Sequence, residues 1–200
     1  MERGLVACTD LDGLMQTLNI NHNLLDWRLF INSSKLSLTA VLLHNGNTLP
    51  SIPVGHSEDS ESYENMKILM EAINYGKFKW QICGDLKVIA LLLGLQQGFT
   101  KYCCYICEWD SRARSLHYSS KYWPARKSLE PGIMNVENQL LGEPRKILSS
   151  IHLKLGLMKN FVKAMNKEAA FTYLREKFPR QSEAMFKEGI FIGTQIRELI

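Results

Sequence analysis

The spacing of apolar residues changes from two to three or four along residues 27–95, and this change constrains the fold more than any other feature. Alternating apolar residues and an Asn-Gly turn predict three antiparallel strands within residues 27–56. Residues 62–74 have the spacing of an amphipathic helix, residues 79–83 that of a buried strand, and residues 86–95 that of an apolar helix. The order β-β-β-α-β-α predicts an α/β or α+β sheet with helices on its faces.

Three local features add to this pattern. Pro53 in the third strand predicts an edge position, because proline cannot donate to a neighbouring strand. Asp10 is placed to cap a short helix that begins at Leu11, and Ser182 is placed to cap a helix near the C-terminus. From Ile147 the spacing becomes strongly helical, and no helix-stop residue precedes the last position, which predicts a truncated helical portion.

These patterns divide the chain into four predicted parts. They are an N-terminal helix and loop (1–23), an α/β core (24–100), a basic and aromatic insertion that contains Cys and His (101–146), and a helical C-terminal portion (147–200).

Composition excludes several classes of protein. The chain is 46% hydrophobic and 22% charged, as in an ordinary globular protein. No apolar run approaches the roughly 20 residues of a membrane span, and the N-terminus lacks the apolar core of a signal peptide. We therefore expect a nuclear or cytoplasmic protein that is neither secreted nor membrane-bound.

Charge is distributed unevenly along the chain. Residues 1–80 carry six Lys/Arg and nine Asp/Glu, whereas residues 81–200 carry eighteen and eleven. The basic second part indicates either a polyanionic partner or a solvated basic surface.

Three of the five cysteines fall within five positions, and two of them form the CxxC pair Cys104 and Cys107. Such a pair places two sulfurs on one tight turn, which is half of the shell that a tetrahedral zinc ion needs. His117 and His152 are the next two histidines and would complete a Cys2His2 set. The alternative is that reduced cysteines pack here without a metal.

Residues 101–127 contain six Lys/Arg and six aromatic residues but only two acidic residues. Cations match phosphates and aromatic faces stack on unpaired bases, so this composition predicts a nucleic-acid-binding surface. The alternative is that the aromatic residues form a small core around the metal site. The candidate nucleic-acid-binding residues, extended by three lysines on a C-terminal helix, are Lys101, Arg112, Arg114, Lys121, Trp123, Arg126, Lys127, Lys159, Lys163 and Lys167.

Two polar residues follow apolar strands. Asn32 lies near the end of the first strand, and Asp85 follows the fourth. In a sheet of this order the two strand ends lie side by side, which is where ribonuclease H-like nucleases hold two Mg²⁺ ions between carboxylates. The alternative for Asp85 is a purely structural role as the N-cap of the helix at Leu86.

Long runs of the sequence resemble a family of transposon-like proteins that occur in many copies in invertebrate and some fish genomes. The runs are residues 29–47, 51–57, 83–113, 152–165 and 187–199. The pattern of this family is similar to that of DDE-type transposases. The resemblance therefore implies an α/β, ribonuclease H-like mixed sheet with a zinc-binding Cys/His insertion.

The resemblance also implies a catalytic role for Asp85 and an aspartate where this chain has Asn32. It places a third acidic residue beyond Ile200 and matches Cys104, Cys107, His117 and His152 to zinc ligands. We therefore expect structural Zn²⁺, and an ancestral Mg²⁺ site that no longer binds the ion productively.

Three hypotheses of function follow. The first is a fragment or degenerate copy of a DDE-type transposase that binds DNA without cleaving it. The second is a zinc-stabilised, non-catalytic protein-interaction module. The third is an active nuclease that a further region completes.

Overall fold

The computed structural model describes residues 4–98, 100–149, 160, 164 and 167–188. The chain forms two compact units, Met1–Leu148 and Ser149–Ile200. The strands are β1 (Leu5–Ala7), β2 (Trp27–Ser33), β3 (Leu38–His44), β4 (Ile52–Ser57), β5 (Gln81–Gly84) and β6 (Ile147–Ser149). The α-helices are α1 (Leu11–Thr17), α2 (Tyr63–Ala72), α3 (Tyr75–Phe78), α4 (Leu86–Leu92), α5 (Lys167–Lys177) and α6 (Glu183–Glu188).

The strands form one mixed sheet in the order β1-β4-β3-β2-β5-β6. β2, β3 and β4 are an antiparallel meander, and β5 pairs in parallel with β2. The predicted α/β class is confirmed, and the predicted β-β-β-α-β-α elements occur in that order, with the unpredicted helix α3 between α2 and β5. These elements could be predicted because each has its own local spacing of apolar residues and because short connections join them.

The prediction that β4 lies at an edge is wrong. β1 pairs antiparallel with β4 on the side opposite β3, up to the pair Ala7↔Gly55. Pro53 lies past that last pair and beside the register shift between β3 and β4. Proline is tolerated at such an irregularity because the regular ladder is interrupted there.

Two short strands were not expected from the sequence. β1 belongs to the predicted N-terminal helix and loop, and it joins that segment to the sheet. Ile147–Ser149 forms β6 rather than the start of a helix, so the predicted helical onset at Ile147 is wrong. Most of the apolar stripe that predicts the long C-terminal helix lies outside the described residues.

α2 and α4 pack against the sheet, and side-chain caps mark the beginnings of α1, α2 and α4. Asp10 accepts a hydrogen bond from Gly13 N at 3.0 Å, as predicted, and Ser62 caps α2. α2 packs closely on β4, because a Cβ on Gly55 would lie 2.7 Å from Leu69. The buried core therefore sits between the meander and these helices.

Residues 101–146 contain little regular structure. Two isolated bridges, Leu95↔Val136 and Cys107↔Ala125, connect this segment to α4 and close its first loop. In the second unit, Ser182 Oγ accepts a hydrogen bond from Met185 N at 3.4 Å, which confirms its predicted role as the cap of a helix.

Candidate functional site

The first candidate site lies at the carboxyl ends of β2 and β5. The parallel register pairs Phe30 with Cys83. Asn32 lies two residues after Phe30 on β2, and Asp85 follows β5 directly. The predicted adjacency of the two strands is therefore confirmed. Both polar residues occur where these strands end, and this end of the sheet is called the sheet edge below.

Asp85 has a structural role in the described conformation. Its Oδ1 accepts a hydrogen bond from Val88 N at 2.8 Å, which caps α4. The preceding Gly84 allows this tight turn, because a Cβ there would lie 2.6 Å from Val88 and 3.3 Å from Ile31 O. Asp85 is half-buried, whereas Asn32 is exposed on β2.

The sequence analysis missed Glu61, which joins the same edge from the loop before α2. Ser33 Oγ donates a hydrogen bond to Glu61 Oε2 at 2.8 Å, and Lys87 on α4 forms an ion pair with Oε1. The Glu61 side chain is only 11% exposed. The hydrogen bond from Lys87 holds the pKa of Glu61 below its usual value, and the bond from Ser33 acts in the same direction.

This geometry limits what the edge can do chemically. A site for two divalent ions needs several carboxylate oxygens. Here Asn32 contributes a neutral amide, the Lys87 ammonium already neutralises Glu61, and Asp85 caps a helix. Only the spacing of serine and acidic residues in 57–61 hinted at Glu61, and that pattern is equally typical of a loop.

The second candidate site is the Cys/His segment. Cys104 Sγ and Cys107 Sγ lie 3.4 Å apart, within the range of two ligands on one tetrahedral ion. Burial raises the pKa of the Cys107 thiol, and its hydrogen bond to Cys104 raises it further. The pair therefore fits half of a zinc shell.

The remaining predicted ligands are placed differently. His117 Nε2 donates to Asp110 O at 2.8 Å, and its ring stacks on Trp109 with centroids 4.7 Å apart. His152 lies outside the described residues. Within the part of the chain that the structure describes, no three His, Cys, Asp or Glu side chains form a metal-binding group.

The predicted nucleic-acid-binding residues differ in their surroundings. Arg126 points inward and donates to the carbonyls of Cys104, Tyr102 and Met134 at 3.0, 2.8 and 3.1 Å. Lys101 is engaged by Asp110, with Nζ and Oδ2 at 3.4 Å.

The other predicted residues make neither of these contacts. Trp123 is half-buried with its ring centroid 6.4 Å from that of His117. The exposed cations are Arg112, Arg114, Lys121 and Lys127. Lys159 and Lys163 lie outside the described residues, and Lys167 is described only as the first residue of α5.

The fold and these sites define an α/β protein with a mixed sheet and a basic, cysteine-containing insertion. Residues 1–141 match the family described as domain of unknown function DUF8703, and the chain belongs to that family. Residues 150–200 match a second family, domain of unknown function DUF8704. No curated protein and no solved structure matches the chain. No helix among the described residues is long and apolar enough to cross a membrane.

Proposed function

We propose that this protein is a degenerate relative of DDE-type transposases, with a ribonuclease H-like core, that binds DNA without cleaving it. The observation that carries the proposal is the parallel pairing of β2 with β5 beside an antiparallel meander, with Asn32 near the end of β2 and Asp85 directly after β5. This strand arrangement is the one that the sequence analysis expects of a ribonuclease H-like fold. A nuclear or cytoplasmic location belongs to the same proposal.

The absence of cleavage follows from the charges at the sheet edge. Mg²⁺ keeps its waters tightly and is held by carboxylates together with substrate phosphates. The Lys87 ammonium neutralises the charge of Glu61, and Asn32 cannot replace a carboxylate. Asp85 alone should bind the ion weakly and without productive geometry.

DNA binding is supported by the four exposed cations of the insertion. Exposed Lys and Arg neutralise phosphates and release counterions, so the affinity should fall steeply as salt is raised. The half-buried Arg126 contributes to DNA binding indirectly, because its hydrogen bonds to backbone carbonyls hold the loop that carries the exposed cations.

We also propose that Cys104 and Cys107 contribute two thiolates to a structural zinc site, with His117 as a third ligand. When bound, the ion would cross-link the insertion. His117 would have to ligate through Nδ1, because Nε2 is engaged by Asp110 O. Elemental analysis of the purified protein should find zinc that Cys104→Ser removes and Cys8→Ser, at a half-buried thiol of the N-terminal segment, does not. Zinc-free wild-type protein would contradict the site.

A nicking assay on supercoiled plasmid tests the catalytic part of the proposal. We expect no cleavage with Mg²⁺ or Mn²⁺, and no gain from Asn32→Asp. Asp85→Asn is the matched variant, because an amide oxygen still caps α4 while the carboxylate is lost. Robust nicking that Asp85→Asn abolishes would show a complete nuclease site.

A titration with labelled duplex DNA tests the binding part. The affinity should fall by at least tenfold between about 50 and 200 mM salt, as expected when several phosphates are contacted. Arg112→Gln with Arg114→Gln should weaken binding and flatten the salt dependence. No salt-sensitive binding would favour the second candidate, a zinc-stabilised module for a protein partner, for which exposed Ile106 and Leu116 would be the contacts.

A further inference from the structure

Two tyrosines of the insertion project into solvent while its other aromatic residues do not. Tyr118 is fully exposed and Tyr122 is 88% exposed. The remaining aromatic side chains of residues 101–127 are half-buried; they are Tyr102, Tyr105, Trp109 and Trp123. The small core predicted for this segment therefore accounts for four of its six aromatic residues and leaves two unexplained.

The backbone that carries these two tyrosines is anchored at both ends. His117 stacks on Trp109 and lies 6.4 Å from Trp123, centroid to centroid. The loop 118–122 therefore leaves and re-enters the same aromatic cluster. Ser120 Oγ donates to Tyr122 O at 3.0 Å inside the loop. Anchoring of this kind presents both tyrosines from one small region of the surface.

Exposed cations surround this loop in the sequence. Arg112 and Arg114 precede it, and Lys121 and Lys127 lie within and after it. None of the four makes an ion pair with an acidic side chain in the described part of the chain. Asp110, the nearest acidic residue before the loop, is already engaged by Lys101 and by the backbone N–H of Arg112.

We propose that this surface binds unpaired nucleotides: bases stack on Tyr118 and Tyr122, and phosphates contact the neighbouring Arg and Lys side chains. Base pairs within a duplex bury their faces against each other, so only an unpaired base can use an exposed aromatic ring. The inference rests on the proposed DNA binding and names its preferred substrate class, which is a single strand or an unpaired tail.

The experiment measures fluorescence anisotropy with three probes: a blunt duplex, the same duplex with an unpaired thymidine tail of about 10 nucleotides, and that tail alone. We expect the tail to increase the affinity of the protein for the duplex by about fivefold or more. A gain of about fivefold is the lower end of the range expected when one base stacks on an aromatic side chain. The double variant Tyr118→Leu/Tyr122→Leu should abolish this gain and leave blunt-duplex binding unchanged.

Two variants serve as controls. Tyr173→Leu changes a tyrosine that is 52% exposed on α5, and it should keep the tail preference. Arg112→Gln with Arg114→Gln should weaken binding to all three probes.

The outcomes separate the inference from the function on which it rests. Equal affinity for blunt and tailed duplex, or a tail preference that survives the double tyrosine variant, overturns the inference and leaves DNA binding intact. Absence of salt-sensitive binding to every probe overturns both.

Discussion

Single side chains decide how the basic insertion and the sheet edge are used. Arg126 and Lys127 are adjacent in sequence, yet one donates to three backbone carbonyls and the other is exposed. Asn32 and Glu61 occur at one sheet edge, yet only Glu61 is charged and it is already paired. Residue type alone therefore does not show which charges remain free for a ligand.

Arg126→Ala should destabilise the protein by roughly 1–3 kcal/mol, because three carbonyl groups lose a charged hydrogen-bond donor. Lys127→Ala is the matched control and should change the stability by less than about 0.5 kcal/mol. Urea unfolding followed by tryptophan fluorescence would measure both. Equal stabilities would show that the Arg126 guanidinium does not hold the loop.

Glu61→Gln should cost about 1 kcal/mol at neutral pH, a modest value because Lys87 is partly exposed. Pairing lowers the folded-state pKa of Glu61 from its usual 4.5, so the unfolded state binds more protons just below that pH. The stabilisation is therefore complete above about pH 4.5 and is lost as the pH falls through the folded-state pKa.

Unfolding free energies measured across this acidic range should be less pH-dependent in Glu61→Gln than in wild type. Glu64→Gln, at an exposed position of α2, controls for the change in net charge. A Glu61→Gln profile parallel to that of wild type would contradict the ion pair.

At the scale of elements, the ends of α4 determine how the sheet meets the insertion. Asp85 caps its beginning, and Gly94 lies just after its end with φ +64. Gly94 O accepts hydrogen bonds from Glu137 N and Asn138 N at 2.8 and 3.0 Å, which tie the insertion back to this helix.

Asp85→Ala should cost about 0.5–2 kcal/mol, since Val88 N loses its cap. Asp85→Ser keeps a capping oxygen and should retain most of the stability. Thermal unfolding by circular dichroism compares the two. If the serine variant were as unstable as the alanine variant, the carboxylate would have a structural role beyond the cap.

Gly94→Ala should destabilise the protein by more than about 2 kcal/mol, because positive φ and a collision act together. Its Cβ would lie 2.1 Å from Asn138 O. Gly98→Ala is the control: φ is +93, but no described atom lies within 4 Å of its Cβ. Chemical denaturation should rank Gly98→Ala well above Gly94→Ala in stability, and the reverse order would show that the contact relaxes freely.

At the scale of the whole molecule, the first unit carries a continuous core of its own. The buried cluster runs from Leu11 to Ile147 and includes residues of every strand from β2 to β6. The two family matches, 1–141 and 150–200, agree with a division of the chain near this point.

A fragment of residues 1–149 should therefore unfold in one cooperative transition, since its core cluster is retained complete. Heating monitored by near-ultraviolet circular dichroism would test this. A fragment without a cooperative transition would show that the first unit depends on the second for folding.

The sequence by itself determined the elements with a clear period. These include the meander, α2, β5 and α4, together with the caps at Asp10 and Ser182, because period and capping depend on residues within a few positions of each other. It also predicted that Asn32 and Asp85 would follow neighbouring strands, since that neighbourhood follows from element order.

Only the tertiary structure decided which distant groups meet. β1 and β6 are three residues each, too short for any period, and backbone pairing with remote strands creates them. The same is true of Glu61 with Lys87, and of Arg126 with its three carbonyls: in each case the partners are brought together by chain folding across many intervening residues. An ion pair or a buried donor of this kind has no local pattern, because its stability depends on burial and distance rather than on sequence spacing.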